Sequence, residues 1–178
     1  MSLLTSVPTS SELQSIRIVP SDERYVESFN RALDAVARER RYIGFLEAPP
    51  LEGTRNFVRL VLSGEGVQRF AITPEEEVVG WCEIVRNRMD GFRHASRMGM
   101  GLLAPYRGAG LGRRLLTETL DAARAMGIER VELEVFASNE SAIALYRKLG
   151  VVVEGTKKRA RKLDGDYDDD LIMALFLS

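Results

Sequence analysis

The sequence predicts a mixed α/β fold: one central, mostly antiparallel sheet of about six or seven strands, with one parallel crossover pair and about four flanking helices. Three observations carry this expectation. Strand-like and helix-like runs interleave along the whole chain. Two pairs of strand-like runs are joined by short turns, Pro74–Glu77 and Asp164-Gly165, and so read as hairpins. One strand–turn–helix–strand run, near residues 95–136, is long enough for a crossover and places its two strands parallel.

Residues 1–14 are rich in Ser and Thr and contain Pro8; a poorly ordered leader is expected there, with a single domain over 15–178. Ile16, Ile18 and Pro20 suggest a short strand. Ser21-Asp22-Glu23 resembles a helix start, with a capping hydroxyl and carboxylates near the positive helix end. That helix is expected to reach about Arg41, since Val26, Phe29, Leu33 and Val36 fall on one face. A loop follows over Tyr42–Pro50, then a helix over Thr54–Leu62, ended by Gly64 and Gly66. Val67–Ile72 and Val78–Arg86 form the first hairpin, and Ala95–Leu103 a third strand of the sheet. Leu111–Met126 carries an apolar stripe (Leu111, Leu115, Leu116, Leu120, Ala123) and stops at Gly127. Val131–Val135 alternates as a strand, Asn139–Leu149 reads as a helix stopped by Gly150, and Val151–Lys162 with Tyr167–Phe176 closes the chain.

A chain of 178 residues can bury its own core without staples. The net charge of −1 provides no global attraction for nucleic acid or an anionic membrane, so neither is expected as a partner. Cys82 is the sole cysteine, which excludes an intrachain disulfide and fits a cytoplasmic location. No apolar run approaches the roughly 20 residues of a membrane-spanning helix. His94 is the sole histidine, with no Cys or carboxylate pattern around it, so no metal site is expected. Cys82 reads as a small core residue, not a nucleophile.

The most informative segment is Gly101–Gly112. It leaves a strand and enters a helix. Gly108, Gly110 and Gly112 remove side chains so that backbone N–H groups can approach a ligand at a helix N-terminus, and Arg107 and Arg113 add charge. The pattern suits phosphate, although the same glycines would serve a tight packing turn. A P-loop would require Gly-Lys-Ser/Thr where Gly112-Arg113-Arg114 stands. A dinucleotide fingerprint would require glycine at Arg113; Glu132 and Glu134 lie at about the right distance for its acidic residue, which keeps a dinucleotide-binding domain as an alternative. Downstream, Asn139 and Tyr146 are nearly two helical turns apart and can share a face. Asn139 is either a ligand-binding amide or an N-cap, and Tyr146 either a reactive phenol or part of the stripe with Ala142 and Leu149.

Together, Arg107-Gly108-Ala109-Gly110-Leu111-Gly112 and the run Asn139…Tyr146-Arg147-Lys148-Leu149-Gly150 resemble the GNAT superfamily of acetyl-CoA-dependent N-acetyltransferases. The likeness covers residues 78–176 well and 15–75 mainly in element order. It implies a GNAT fold, acetyl-CoA as acyl donor and no metal. It implies pantetheine contacts through backbone groups of Leu102 and Leu103, and pyrophosphate contacts over Arg107, Gly108, Ala109, Gly110, Leu111, Gly112 and Arg113. It assigns Asn139 to the pantetheine arm and Tyr146 to the sulfur.

The reaction implied is direct acetyl transfer to a neutral amine, with Tyr146 as general acid and a backbone N–H on Gly101–Leu103 for the oxyanion. Many relatives carry a Glu on the strand before the glycine turn, but Arg97–Leu103 has none, so Glu83 on the neighbouring strand is the best substitute as base. Its alternative is a solvent-facing strand carboxylate. Glu132 and Glu134 rank lower, as residues of the outer sheet face. The loop 42–50 and the final hairpin would shape the acceptor pocket, with Tyr42, Phe45 and Glu47 as contacts or as packing residues. The basic run Lys157–Lys162 is expected to face acids across that hairpin, Arg161 opposite Asp168 and Arg159 opposite Asp170. The acceptor implied is a small-molecule amine such as an amino acid, or a peptide N-terminus. The family often forms dimers, and a homodimer is one assembly the resemblance allows. A non-catalytic coenzyme A-binding protein is the alternative from another class.

Overall fold

A computed structural model describes residues 8–177. In chain order the elements are α1 (Ser10–Ser15), β1 (Arg17–Pro20), α2 (Val26–Arg38), α3 (Leu51–Leu60), β2 (Gly66–Ile72), β3 (Val78–Arg86), β4 (Ala95–Leu102), α4 (Leu111–Ala125), β5 (Arg130–Phe136), α5 (Glu140–Lys148), β6 (Val152–Leu163) and β7 (Asp166–Phe176). The seven strands form one sheet in the order β1-β2-β3-β4-β5-β7-β6. β4 and β5 are parallel and the other pairs antiparallel. The α4 crossover is what returns the chain in the same direction.

Local chemistry changes several boundaries. Thr9 and Glu12 form a reciprocal capping box, with Thr9 N–H 2.6 Å from Glu12 Oε2 and Glu12 N–H 3.3 Å from Thr9 Oγ1. Ser10–Ser15 is therefore helical where part of a leader was expected, which makes a fifth helix. Residues 1–7 of that leader lie outside the described residues. The helix entry after β1 is capped by the Asp22 carboxylate, which accepts from Arg24 N–H at 2.9 Å, in place of a Ser21 hydroxyl. α3 opens at Leu51, not Thr54, because Pro50 C=O accepts from Gly53 and Thr54 N–H at 2.7 and 3.2 Å.

The final hairpin places Arg161 opposite Asp168, as its turn predicts. Asp170, however, faces Lys157 and not Arg159. A bulge over Lys158–Ala160 shifts the register, with Arg159 at φ 52. The Asp169 carboxylate holds it, accepting from Lys158 Nζ at 2.7 Å and Arg159 N–H at 2.8 Å.

Residues opposed across neighbouring strands share a sheet face. One face carries Phe70, Trp81 and Gly101 in register. It packs on α2, whose Phe29 ring lies 5.0 Å from Phe70 and 5.5 Å from Trp81. The other face carries Cys82, Met100 and Leu102 and packs on α4 and α5. There a Cβ on Gly112 would stand 3.2 Å from Leu102 and 3.5 Å from Leu145. The predicted stripe of α4 is fully buried at Leu115, Leu116 and Ala123. Burying each such Leu contributes about 1.5–3 kcal/mol.

Gly101 is required by this packing. A Cβ there would strike the indole of Trp81, which is only 3% exposed. Gly101→Ala is expected to cost about 1–3 kcal/mol through overpacking. Thermal denaturation should show Tm lower by about 2–10 °C; an unchanged Tm would mean that the indole is not held.

β4 and β5 pair only at Ala95↔Arg130, Ser96↔Val131 and Arg97↔Glu132. Beyond that point β4 stays with β3 and β5 with β7. The sheet therefore opens into a V, and the candidate site lies in it.

Candidate active site

A cavity of about 780 Å³ runs through the V, between Met98–Leu102 of β4 and Leu133–Phe136 of β5. On the α4–α5 side it meets the glycine turn. Gly108 and Gly110 adopt φ 78° and 83°, with no atom within 4 Å of a Cβ built on either. Backbone conformation, not crowding, selects glycine at both. The N–H groups of residues 108–113 have no backbone partner among the described residues, and α4 begins at Leu111. Unpaired amides at a helix start form an anion site. Gly108, Gly110, Gly112 and Arg113 line the cavity, whereas Ala109 is exposed at the turn and the Leu111 side chain is buried in the core.

Arg107 lines the cavity too, but its guanidinium is already engaged. Nε donates to Leu102 O at 2.9 Å, and the two terminal nitrogens donate to the Glu39 carboxylate at 2.7 and 2.6 Å. It also stacks over Tyr42, 4.4 Å from the ring centre. In this arrangement Arg107 ties the loop after α2 to the glycine turn, and the other basic side chains lining the cavity are Arg113 and Lys148.

Leu103 is 6% exposed and its N–H donates to Val79 O at 2.9 Å, so this amide is spent on β3. Strand alternation then turns the N–H groups of Met100 and Leu102 toward the gap. Asn139 caps α5, its Oδ1 accepting from Ala142 N–H at 3.3 Å. It also lines the cavity, so the two readings of Asn139 are compatible: Oδ1 caps and Nδ2 remains a donor.

Tyr146 is 6% exposed and lines the same space, and burial pushes its phenol above the ordinary value. Glu83 reaches it from β3. Its carboxylate lies across Gly99 of β4, where any Cβ would collide with Oε1. Glycine at 99 thus leaves open the space on β4 that the Glu83 carboxylate occupies. Burial pushes the Glu83 carboxyl up to about 8, and a long contact from Gln68 Nε2 (3.5 Å) lowers it only in part.

On the α2 face, Tyr42 and Phe45 line the cavity. Glu47 does not: its side chain is 74% exposed and turned to Arg38 at 3.6 Å. Glu134 is a cavity residue, contrary to its low rank, because it lies past the point where β4 and β5 part; Glu132, before that point, is bound to Arg130 at 2.7 Å. Sequence reasoning missed Asp170, which the β5–β7 register places opposite Phe136 and beside Glu134. Burial first, then Glu134, pushes Asp170 up to about 6, while the hydrogen bond from Lys157 holds Glu134 below the usual carboxylate range. Trp81, also unassigned from sequence, lines the cavity.

The remaining candidates are structural. His94 C=O accepts from Glu129 and Arg130 N–H at 3.0 and 3.1 Å, holding the start of β5. Cys82 is buried on the α4 face, and burial pushes its thiol up. Among the described residues no cluster of His, Cys, Asp and Glu is arranged to hold a metal, and no helix is long and apolar enough to cross a membrane.

Known proteins bear on this geometry. The chain is 27% identical over 110 residues to the L-amino acid N-acetyltransferase AaaT of Escherichia coli, covering 61% of this chain and 68% of that protein. It is 44% identical over 66 residues to the N-alpha-acetyltransferase RimI of Mycobacterium tuberculosis, covering 37% and 40%. The chain spans about half the length of the curated relatives it matches first. The crystal structure of yncA from Salmonella typhimurium, solved with its cofactor acetyl-CoA, superposes with a TM-score of 0.85 over 92% of this chain and 94% of that one; at 19% identity the likeness is one of fold. Residues 27–151, from α2 past the end of α5, match the Acetyltransferase (GNAT) family as a whole. With the glycine turn, the split sheet and Tyr146 falling inside that match, the chain belongs to the GNAT acetyltransferase family.

Proposed function

We propose that this protein is an N-acetyltransferase that moves an acetyl group from acetyl-CoA directly to a primary amine of a small molecule, amino acids being one such class. The observation that carries the reading is the polarity of this cavity. Free amides and Arg113 lie at its α4–α5 end, and the carboxylates Glu83, Glu134 and Asp170 at its α2 end. An anionic donor and a basic acceptor suit these two ends, and the split between β4 and β5 joins them.

The residues fit the donor. The amides of 108–113 and Arg113 match a pyrophosphate. The Met100 and Leu102 N–H groups and Asn139 Nδ2 suit an amide-rich arm lying in the gap. Acetyl-CoA, when bound, supplies an acetyl group activated as a thioester. Leu102 N–H, at the gap edge, is placed to polarise an acyl oxygen. Glu83 takes the proton of the acceptor ammonium, directly or through a water, and Tyr146 donates a proton to the departing sulfur. Both walls of the gap hold the reacting groups in register, which lowers the barrier by removing orientational freedom.

An α-amine at a peptide N-terminus is the second reading, favoured by the similarity to an N-alpha-acetyltransferase. The test is thermal stability with and without acetyl-CoA, then thiol release against an amine and peptide panel. Acetyl-CoA at a hundredfold excess over Kd should stabilise the protein by about 2.7 kcal/mol. Thiol release with one acceptor class would identify the substrate. Stabilisation without release would favour the non-catalytic coenzyme A-binding alternative, and no stabilisation would sink the acetyl-CoA reading.

A further inference from the structure

Asp170 is the unexplained group in the cavity. It is 9% exposed, its Oδ1 is buried with no hydrogen-bond partner, and its side chain lines the cavity. A carboxylate in that state is costly unless a cation or donor meets it. Every neighbouring cation is committed elsewhere. Lys157, opposite Asp170 in register, gives its Nζ to Glu134 at 2.6 Å. Arg97 Nη2 binds the same Glu134 oxygen at 3.1 Å. Arg161 lies over the Phe136 ring at 4.0 Å and binds Asp168 at 3.3 Å. The bulge at Lys158–Ala160 removes Arg159, which a regular hairpin would have set against Asp170.

From the acceptor side, Asp170 therefore presents an unpaired carboxylate oxygen next to an aromatic wall of Phe136, Tyr42 and Phe45, while the neighbouring Glu134 is already held by Lys157 and Arg97. A second carboxyl, Glu83, stands across the gap over Gly99. Glu83 and the Asp170–Glu134 pair project from the same sheet face, as the register from β3 through β7 requires. We infer that Asp170, with Glu134, binds a second positive charge on the acceptor, so that the substrate is a small diamine-type dication whose other amine reaches Glu83. This rests on the acetyl-transfer reading above and narrows its substrate class.

In the order β3-β4-β5-β7, Glu134 stands two strand spacings from Glu83 and Asp170 three, so their backbones are at least about 10 and about 14 Å apart, and the parting of β4 from β5 widens both. Diaminoalkanes of about four to ten carbons bracket the part of that span which the two side chains leave open. The experiment is isothermal titration calorimetry of the full chain, with coenzyme A present, using these diamines and the monoamines of equal chain length. Thiol release from acetyl-CoA is followed in parallel. At least one diamine is expected to bind about tenfold or more tightly than its monoamine, as a charge-assisted contact provides. Asp170→Asn, which keeps the shape, should remove that advantage, leaving monoamine and coenzyme A affinities within about twofold; Glu134→Gln should weaken it in the same direction. A diamine no tighter than its monoamine, or an advantage that survives in Asp170→Asn, would overturn the inference. Tight, Asp170-dependent diamine binding with no thiol release would uphold the subsite and overturn acetyl transfer instead.

Discussion

Tyr146→Phe is expected to lower kcat about a hundredfold while leaving the KM for acetyl-CoA within about twofold. The two effects separate because of where the ring lies. Its body is buried among the apolar residues beneath the gap, and Phe fills the same volume, so fold and donor binding should survive. Tyr146 lines the cavity from α5, and burial pushes its phenol above the ordinary value. Such a group is a donor and not a base. Removing it deprives the leaving sulfur of its acid and leaves the bound state intact, the signature of an interaction made in the transition state. Steady-state kinetics with a Tm control measures this. A kcat within twofold of wild type would mean that water or the thiol itself manages the proton.

Glu83→Gln should lower kcat/KM by about a hundredfold and abolish a pH limb. The carboxyl titrates at about 8, so in the wild type the base fills as pH rises through that value, and kcat/KM rises with it. Gln cannot titrate, and the limb near 8 should vanish. Stability should move the opposite way. The folded value lies above the ordinary 4.5, so the native state holds this proton more tightly than the unfolded chain. That contribution is complete below about 4.5 and is lost as pH rises through about 8. Gln keeps the neutral form at every pH. The variant should therefore match the wild type near pH 5 and exceed its Tm by several degrees above pH 8. Lower activity with higher stability at alkaline pH is the joint outcome to look for. A Tm gap that stays constant across this range would show that Glu83 is not desolvated and would remove its case as the base.

Arg107 shows how far a motif can carry a side chain. Its place in the glycine turn was readable, but its partner is Glu39, sixty-eight positions away. The motif therefore leaves its backbone amides unpaired beside the cavity and uses its arginine to hold the loop that carries Tyr42. The α2 side of the cavity is likewise assembled from distant segments, and it includes Asp170 while the local loop sequence points to Glu47, which the structure turns to Arg38.

By itself the sequence determined the element order, the single crossover, the glycine turn at a helix start, and the pairing of Asn139 with Tyr146 on one helix. These are short-range features. Glycine at positive φ, a cap beside a helix, and a seven-residue spacing all act within a few residues, so composition and period record them. Tertiary structure alone decided the chemistry of the acceptor end. It placed Glu83 across Gly99, parted β4 from β5 so that Glu134 faces a cavity while Glu132 does not, and set Lys157 against Asp170 through a bulge. Each depends on register between strands far apart in sequence. A shift of one or two residues there changes which charges meet, and nothing local in the chain records it.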